Sequence, residues 1–450
     1  MTSPVRRATA FAVVGALVVP VIALGELLPQ AALPFASAAP FLAISGLALF
    51  GIDDGPLFEL FARPGDRRDH RLYGLAGFSL AIGGLTLLVT HLGMPVVAFL
   101  VAVLVVSIGP IAAQATHGSG DSELTTAAFV VAGASGAVLG TTVAVSLARR
   151  LGEGVAVTAP LAQIAFLGVV GGLLAALLRV TLVDRDDPLV LVSVALALWV
   201  FAALPVGSDP RVVAVGIGVS GMLGYVARRL QTASVHGMVT GVLLTVIAIV
   251  VGGGRPGWVI LLVTFFGVGG LSTKYKYDRK ADRDIAEDDD GARGSANVLA
   301  NATAATFALI GAAASPELTG VDPTPFVLAF AGSLAAALGD TLSSEIGGLY
   351  DDPRLITTFE VVEPGTDGAI TWQGECAGLA GAGLIAVLAA LTFPSIGLWG
   401  ALIVIGAGFV GMTVDSLLGA TIEGRIVENQ GVNFLATGAA GVAAGLLGVL

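Results

Sequence analysis

The chain has 450 residues, of which 55% are hydrophobic and only 12% charged, with a formal net charge of −11 and a mean hydropathy of +0.91. A soluble globular chain is about 25% charged, and nucleic-acid binding needs a basic face, so this composition excludes an ordinary soluble domain and a nucleic-acid binder alike. Cys376 is the single cysteine, and His70, His91, His117 and His236 are scattered, which leaves no disulfide framework and no cysteine or histidine zinc site.

Apolar runs of bilayer-crossing length recur almost end to end, so the expected fold is all-α, a polytopic transmembrane helical bundle. The runs are continuous rather than alternating, which argues against a β-barrel. About 15 spans are expected, near 8–28, 32–52, 72–91, 94–114, 125–148, 156–178, 188–206, 211–227, 235–252, 256–271, 297–315, 324–343, 376–393, 396–418 and 432–450. The opening MTSPVRRATAFAVVGALVVP has the charged start and apolar core of a signal peptide. Its apolar run continues to about Leu28 and more spans follow at once, so it reads as a first, uncleaved span with Arg6 and Arg7 inside.

With the N-terminus cytoplasmic, alternate segments place 18 of the 22 Lys and Arg residues inside and leave Arg149, Arg150, Arg211 and Arg255 outside. This positive-inside asymmetry predicts a multi-pass cell-membrane protein with loops 272–296, 344–374 and 420–431 on the cytoplasmic side. Two domains are expected. Residues 1–230 form an N-terminal transmembrane extension with short loops, and residues 235–450 hold nearly all the candidate chemistry. The acidic balance, with Arg far outnumbering Lys, reads as a halophilic adaptation.

That bias makes the lysines informative. All three, Lys274, Lys276 and Lys280, lie in STKYKYDRKADRDIAEDDDGARGSANVLAN (272–301). With Arg279 and Arg283 they form a positive cluster suited to phosphate, and Arg293 follows the acidic run Glu287–Asp290. A juxtamembrane anchor on anionic lipid accounts for the charge equally, but not for the confinement of lysine to this loop. The four asparagines form two pairs of identical spacing, Asn297 with Asn301 and Asn429 with Asn433. Residues four apart at a helix start share a face, and helix N-termini favour anions. Helix capping or interhelical hydrogen bonding is the structural alternative. The run Glu287–Asp290 reads as a solvated face rather than a metal site.

In AFAGSLAAALGDTLSSEIGG, Asp340 and Glu345 follow a purely apolar helix. Carboxylates at a membrane edge are costly and are generally functional. With Thr341 and Ser344 they offer oxygen ligands suited to Mg²⁺, which commonly takes one or two carboxylates plus substrate phosphates. Simple exit of the helix into water is the alternative. In PGTDGAITWQGECAG (364–378), Gly365 and Gly368 permit backbone amides to face an anion, and Asp367 and Glu375 are weaker carboxylate candidates. In MTVDSLLGATIEGRIVENQGVNF (412–434), Asp415 and Glu423 lie eight residues apart with Gly419 between them. A buried structural acid is the alternative for Asp415.

The motifs STKYKY…GARGSANVLAN, GDTLSSEIG, LITTFEVVEPGTDGAITWQGECAG and DSLLGATIE…NQGVN occur in that order. They resemble an integral membrane family, first grouped as a domain of unknown function, that includes plant phytyl-phosphate kinase and animal transmembrane protein 19. The resemblance covers about 235–450. It implies a membrane enzyme that phosphorylates an isoprenoid monophosphate of phytyl or geranylgeranyl type to the diphosphate. The donor would be a nucleoside triphosphate, with CTP the expected one. Carried onto this sequence, the matching positions are Lys274, Arg293, Asn297, Asp340, Ser344, Glu345, Thr366, Gly368, Asp415, Glu423, Asn429 and Asn433. Asp340, Glu345, Asp415 and Glu423 are the expected catalytic acids, with Mg²⁺ on Asp340, Glu345 and Asp415. Lys274, Lys276, Lys280, Arg293, Asn297, Asn301, Ser344, Thr366, Gly368, Asn429 and Asn433 are the expected phosphate-binding residues. The sequence departs from the pattern at Gln430, where an acid is expected, and in its long N-terminal extension. A CTP-dependent cytidylyltransferase making a CDP-lipid and a membrane transporter are the alternatives.

Overall fold

In lipid every backbone polar group needs an internal partner, so uncharged runs of this length fold as helices. The computed structural model describes residues 3–449 apart from positions 26, 28, 30–31, 152–158, 182–186, 284, 287–293 and 316. Thirteen helices among the described residues are long and apolar enough to cross a membrane. Two further apolar helices, Asp187–Ala203 and Val235–Val251, have 17 residues each. At 1.5 Å rise they reach about 25 Å, short of a hydrocarbon core of about 30 Å. Every expected span falls on one of these helices, and two of the about 15 miss full spanning length.

The chain divides into two units, Met1–Ala214 and Val215–Leu450. The first holds α1 (Pro4–Ala16), α2 (Val18–Gly25), α3 (Leu33–Phe50), α4 (Gly55–Phe61), α5 (Pro64–Asp69), α6 (Tyr73–His91), α7 (Val96–Thr116), α8 (Ser122–Leu151), α9 (Leu161–Thr181) and α10 (Asp187–Ala203). Helix α7 is its core. Val97–Ser107 is buried almost without a break, because α1, α8, α9 and α10 pack around it. A helix that is apolar on all sides needs such an enclosure.

The division falls within α11 (Pro210–Arg229). The second unit continues with α12 (Val235–Val251), α13 (Pro256–Lys274), α14 (Tyr277–Ala281), α15 (Ser295–Ala314), α16 (Thr324–Gly347), α17 (Trp372–Thr392), α18 (Leu398–Thr421) and α19 (Asn429–Leu447). Between α16 and α17 a small antiparallel hairpin pairs Arg354 with Ile370 and Leu355 with Ala369. Helix α16 is the centre of this unit and packs on α13, α15, α17, α18 and α19. Small residues let the backbones approach closely, as expected where packing rather than the hydrophobic effect holds helices together. A methyl group on Gly411 would collide with Ala336. Ser333 Oγ donates to the Thr437 carbonyl at 3.0 Å, tying α16 to α19. Trp258 is packed edge-on between Phe330 (4.8 Å) and Phe393 (4.9 Å). Exposed apolar side chains such as Leu391, Leu398 and Trp399 then meet lipid rather than water.

Candidate active site

Helices of the second unit run alternately up and down, so the end of α13, the start of α15, the end of α16, the start of α17, the end of α18 and the start of α19 share one face of the bundle. Residues at or beside the start of α15, the end of α16, the start of α17, the end of α18 and the start of α19, with Lys280 of α14, line a cavity of about 370 Å³. A water needs roughly 10–15 Å³ of such space, so the cavity suits a nucleotide-sized ligand rather than a lone ion.

Helix α16 supplies Asp340, Thr341, Ser343, Ser344 and Glu345 in its last turns. Its apolar body is buried throughout, which holds these groups at a fixed height. Helix α18 supplies Asp415 and Ser416, and Glu423 follows just after its end. The Asp415 carboxyl lies against that of Asp340, and Glu423 is near enough to both Asp340 and Asp367 to feel their charge. Burial first, then Asp367 and Asp340, holds the Glu423 carboxyl above its ordinary range. Asp415 Oδ1 is buried and has no hydrogen-bond partner. A buried acceptor left unmade costs roughly 1–3 kcal/mol, more if charged, so this atom marks a place where a ligand would be stabilising.

The two asparagine pairs meet in the same cavity. Asn301 Nδ2 donates to the Asn297 carbonyl at 3.0 Å and approaches Asn297 Oδ1 at 3.4 Å. Asn433 Nδ2 donates to Asn429 Oδ1 at 2.6 Å. Neither α15 nor α19 has a side-chain N-cap bond. No N-cap side chain therefore occupies their positive dipole ends, which favour an anion.

The 349–371 connection closes the cavity with Thr366, Asp367 and Gly368. Gly368 has φ +76°, and a Cβ there would sit 2.5 Å from both Ser416 O and Ala420 N. Only glycine allows the loop to lie this close on the end of α18. Thr366 Oγ1 is held by the Glu363 carbonyl at 2.7 Å, and Ser344 Oγ by the Asp340 carbonyl at 2.9 Å.

Lys280 departs from its expected role. Lys276, at φ +50°, turns the chain into α14, which carries Lys280 back into the bundle, where it is 1% exposed. Its ammonium donates to Ser272 O at 3.1 Å and Thr273 O at 2.5 Å, and it forms an ion pair with Glu345. These contacts engage all three ammonium donors. Lys280 caps the C-terminal carbonyls of α13 and fastens them to α16, and does not present a free charge to phosphate. Glu345 is correspondingly the ion-pair partner of Lys280. Among the described residues no group of three or more His, Cys, Asp or Glu side chains is arranged to hold a metal ion.

Lys274 and Lys276 do not line the cavity. Lys276 instead lies 5.2 Å over the Tyr275 ring. Arg293, and the acidic run before it, lie outside the described residues. Ser343, Tyr350, Thr371 and Ser416 line the cavity without having been singled out in the sequence. Thr371 was legible as the N-cap of α17, accepting from Gly374 N at 3.1 Å, and Ser416 as the neighbour of Asp415.

The fold and site define a class: a polytopic membrane protein with an acid- and amide-lined cavity at one face of its second unit. The chain belongs to the integral membrane protein DUF92 family, which matches residues 218–441. An uncharacterized membrane protein of Methanocaldococcus jannaschii is 39% identical over 43% of this chain and 75% of its own length. Protein PGR of Arabidopsis thaliana is 32% identical over 46% of this chain and 77% of its own. The chloroplastic protein VTE6 of the same plant is 34% identical over 27% of this chain and 36% of its own. No solved structure matches the chain.

Proposed function

We propose that the second unit is a membrane-embedded phosphotransferase that converts an isoprenoid monophosphate, of phytyl or geranylgeranyl type, to its diphosphate, with CTP as donor. One observation carries this reading: Asp340 and Asp415 touch in a cavity that is also lined by two asparagine pairs, at two helix starts whose N-cap side chains make no capping bond. Acids and anion-favouring groups in one cavity suit a phosphate chain that binds together with a cation.

The lining carboxylates Asp340, Glu345, Asp367, Asp415 and Glu423 outnumber the one lining cation, Lys280, among the described residues. Such a cavity repels a bare triphosphate. A divalent ion resolves the conflict, and the donor set fits Mg²⁺, which takes one or two carboxylates and completes its shell with water and substrate phosphate. Asp340 and Asp415 would hold it, and the unpartnered Asp415 Oδ1 is the atom that supports this assignment. When bound, the ion would neutralise charge between the donor and acceptor phosphates.

Phosphoryl transfer needs positioning and charge neutralisation more than covalent chemistry. Asn297, Asn301, Asn429 and Asn433 orient phosphate oxygens with their amides. The Gly365–Gly368 turn brings backbone close to the same space. The acceptor is itself an anionic phosphate, so no strong base is required. Glu423, held above its ordinary range, is placed to carry a proton at the cavity wall. The lipid tail would lie among the apolar helices. The reading puts the cavity on the cytoplasmic face, where nucleotide is found, and the arginine and lysine distribution supports that sidedness. Its position at helix ends rather than at mid-membrane disfavours a transporter, whose site lies near the midplane.

The test is turnover by purified protein in detergent at high salt, with geranylgeranyl or phytyl monophosphate, Mg²⁺ and each common nucleoside triphosphate. The expected result is a Mg²⁺-dependent lipid diphosphate. Absence of that product with every donor, from protein that still melts cooperatively, overturns the reading.

A further inference from the structure

The first unit has a charged cavity of its own. Arg7 at the start of α1, Arg63 between α4 and α5, and Arg179 at the end of α9 line one space of about 60 Å³, together with Ser107, Gln114 and Asp187. These three arginines are brought together from segments far apart in the chain. Asp187 is the one carboxylate among the described lining residues.

Asp187 is buried and forms ion pairs with both Arg63 and Arg179, the latter at 2.9 Å. Two guanidinium planes are also set against aromatic rings, Arg63 at 5.1 Å from Phe11 and Arg179 at 5.5 Å from Phe129. Stacking of this kind fixes the plane of an arginine and leaves its edge for a ligand. A purely structural bolt between α9, α10 and the α4–α5 connection accounts for Asp187 and its two partners. It does not account for two further observations. Arg179 Nη1 is buried with no hydrogen-bond partner. Arg7 lines the same space while its Nη1 reaches no closer than 3.4 Å to the Ala62 carbonyl. Among the described lining residues, three cations around one anion leave a surplus of positive charge in a confined space, a costly arrangement unless an anion completes it.

The geometry points to an oxyanion site in the first unit, formed by Arg7, Arg63 and Arg179, that takes a phosphate group. Size supports the assignment. At roughly 10–15 Å³ per water-sized object the space admits about four to six heavy atoms, which is one tetrahedral phosphate group. Arginine forks recognise phosphate oxygens in pairs. The phosphate is either free in solution or carried by a membrane lipid. This site is separate from the proposed transfer reaction, and its presence or absence leaves that reading unchanged.

The experiment uses the full chain in two arms. In the first, protein stripped of lipid in detergent is titrated with inorganic phosphate at fixed ionic strength, and the melting temperature is followed. In the second, native mass spectrometry counts lipids retained from bilayer discs of phosphatidylglycerol and phosphatidylcholine. Arg7→Gln and Arg179→Gln are each expected to weaken the response roughly tenfold, the loss of one charge-assisted hydrogen bond. Arg68→Gln, on the exposed side of α5 and paired with Asp69, is expected to change nothing. A response in both arms identifies a site that accepts free phosphate. A response in the lipid arm alone identifies a headgroup site. Arg7→Gln removes the least structural of the three contacts and decides the case should Arg179→Gln fail to fold. Wild type and Arg7→Gln that respond alike, or that do not respond in either arm, overturn the proposal.

Discussion

Helices α7 and α16 occupy equivalent places in their units and diverge only near one end. Both are enclosed by neighbours and buried on all sides, α7 over Val97–Ser107 and α16 over Val327–Gly339. Beyond that body, α7 finishes beside a cavity with three arginines and one aspartate, whereas α16 finishes in Asp340–Glu345 beside a cavity with five carboxylates and one lysine. The same way of packing apolar helices thus supports mouths of opposite charge. Chemistry is set by the last turns, and the buried bodies serve to hold those turns still. Substitutions at the acidic mouth should therefore alter turnover, and substitutions at the ties beneath it should alter stability.

The largest effect is expected at the paired acids. Asp340→Asn should lower lipid diphosphate formation about 10²–10³-fold, as for loss of a principal electrostatic group in a site. Asp415→Asn should do the same while raising the melting temperature, because it relieves the crowding of two acids set against each other in a buried place. Loss of stability together with activity in both variants would show that the pair is a structural tie.

Next comes the Lys280–Glu345 tie, whose side chains are 1% and 14% exposed. Lys280→Met should destabilise the second unit by about 3–5 kcal/mol, since it strands a largely buried carboxylate and uncaps α13. The double change Lys280→Met with Glu345→Leu should recover much of that loss in chemical denaturation. A lysine that served mainly to bind phosphate would instead raise the donor KM and leave stability unchanged.

Gly368→Ala should cost about 1–3 kcal/mol, because its positive φ disfavours a side chain and its Cβ would press on Ser416 O and Ala420 N. Turnover should fall as the loop lifts from α18, which a melting curve and a rate assay on the same preparation would show. The smallest effect is a pH dependence. Glu423 is held above its ordinary value of 4.5, so the folded state binds its proton more tightly than the unfolded one does. Its contribution favours folding at low pH and is lost as pH rises from 4.5 through the raised value. Melting temperatures across that window should slope downward with pH in the wild type and flatten in Glu423→Gln.

The helical architecture and the position of nearly every span were legible in the sequence, because uncharged length decides both. So were the two asparagine pairs, Asp340, Asp415 and Glu423, since polar groups are conspicuous in an apolar chain. What the sequence could not supply was which polar group answers which. Lys280 looks like a phosphate ligand by composition, yet the left-handed turn at Lys276 folds it back onto the end of α13. Glu345 looks like a metal ligand by spacing, yet that lysine claims it. The arginine cavity was invisible for the same reason. Arg7, Arg63 and Arg179 each read as an ordinary membrane anchor until α1, α9 and the α4–α5 connection place them side by side.

The most direct measurement follows the fate of two labels. Purified protein would receive an isoprenoid monophosphate, Mg²⁺ and CTP labelled at either the γ- or the α-phosphate. Appearance of the γ label in the lipid, absence of the α label, and loss of the γ label in Asp340→Asn is the predicted result. Transfer of the α label would make the protein a cytidylyltransferase, and transfer of neither label, from CTP or any other labelled donor, would contradict phosphotransfer altogether.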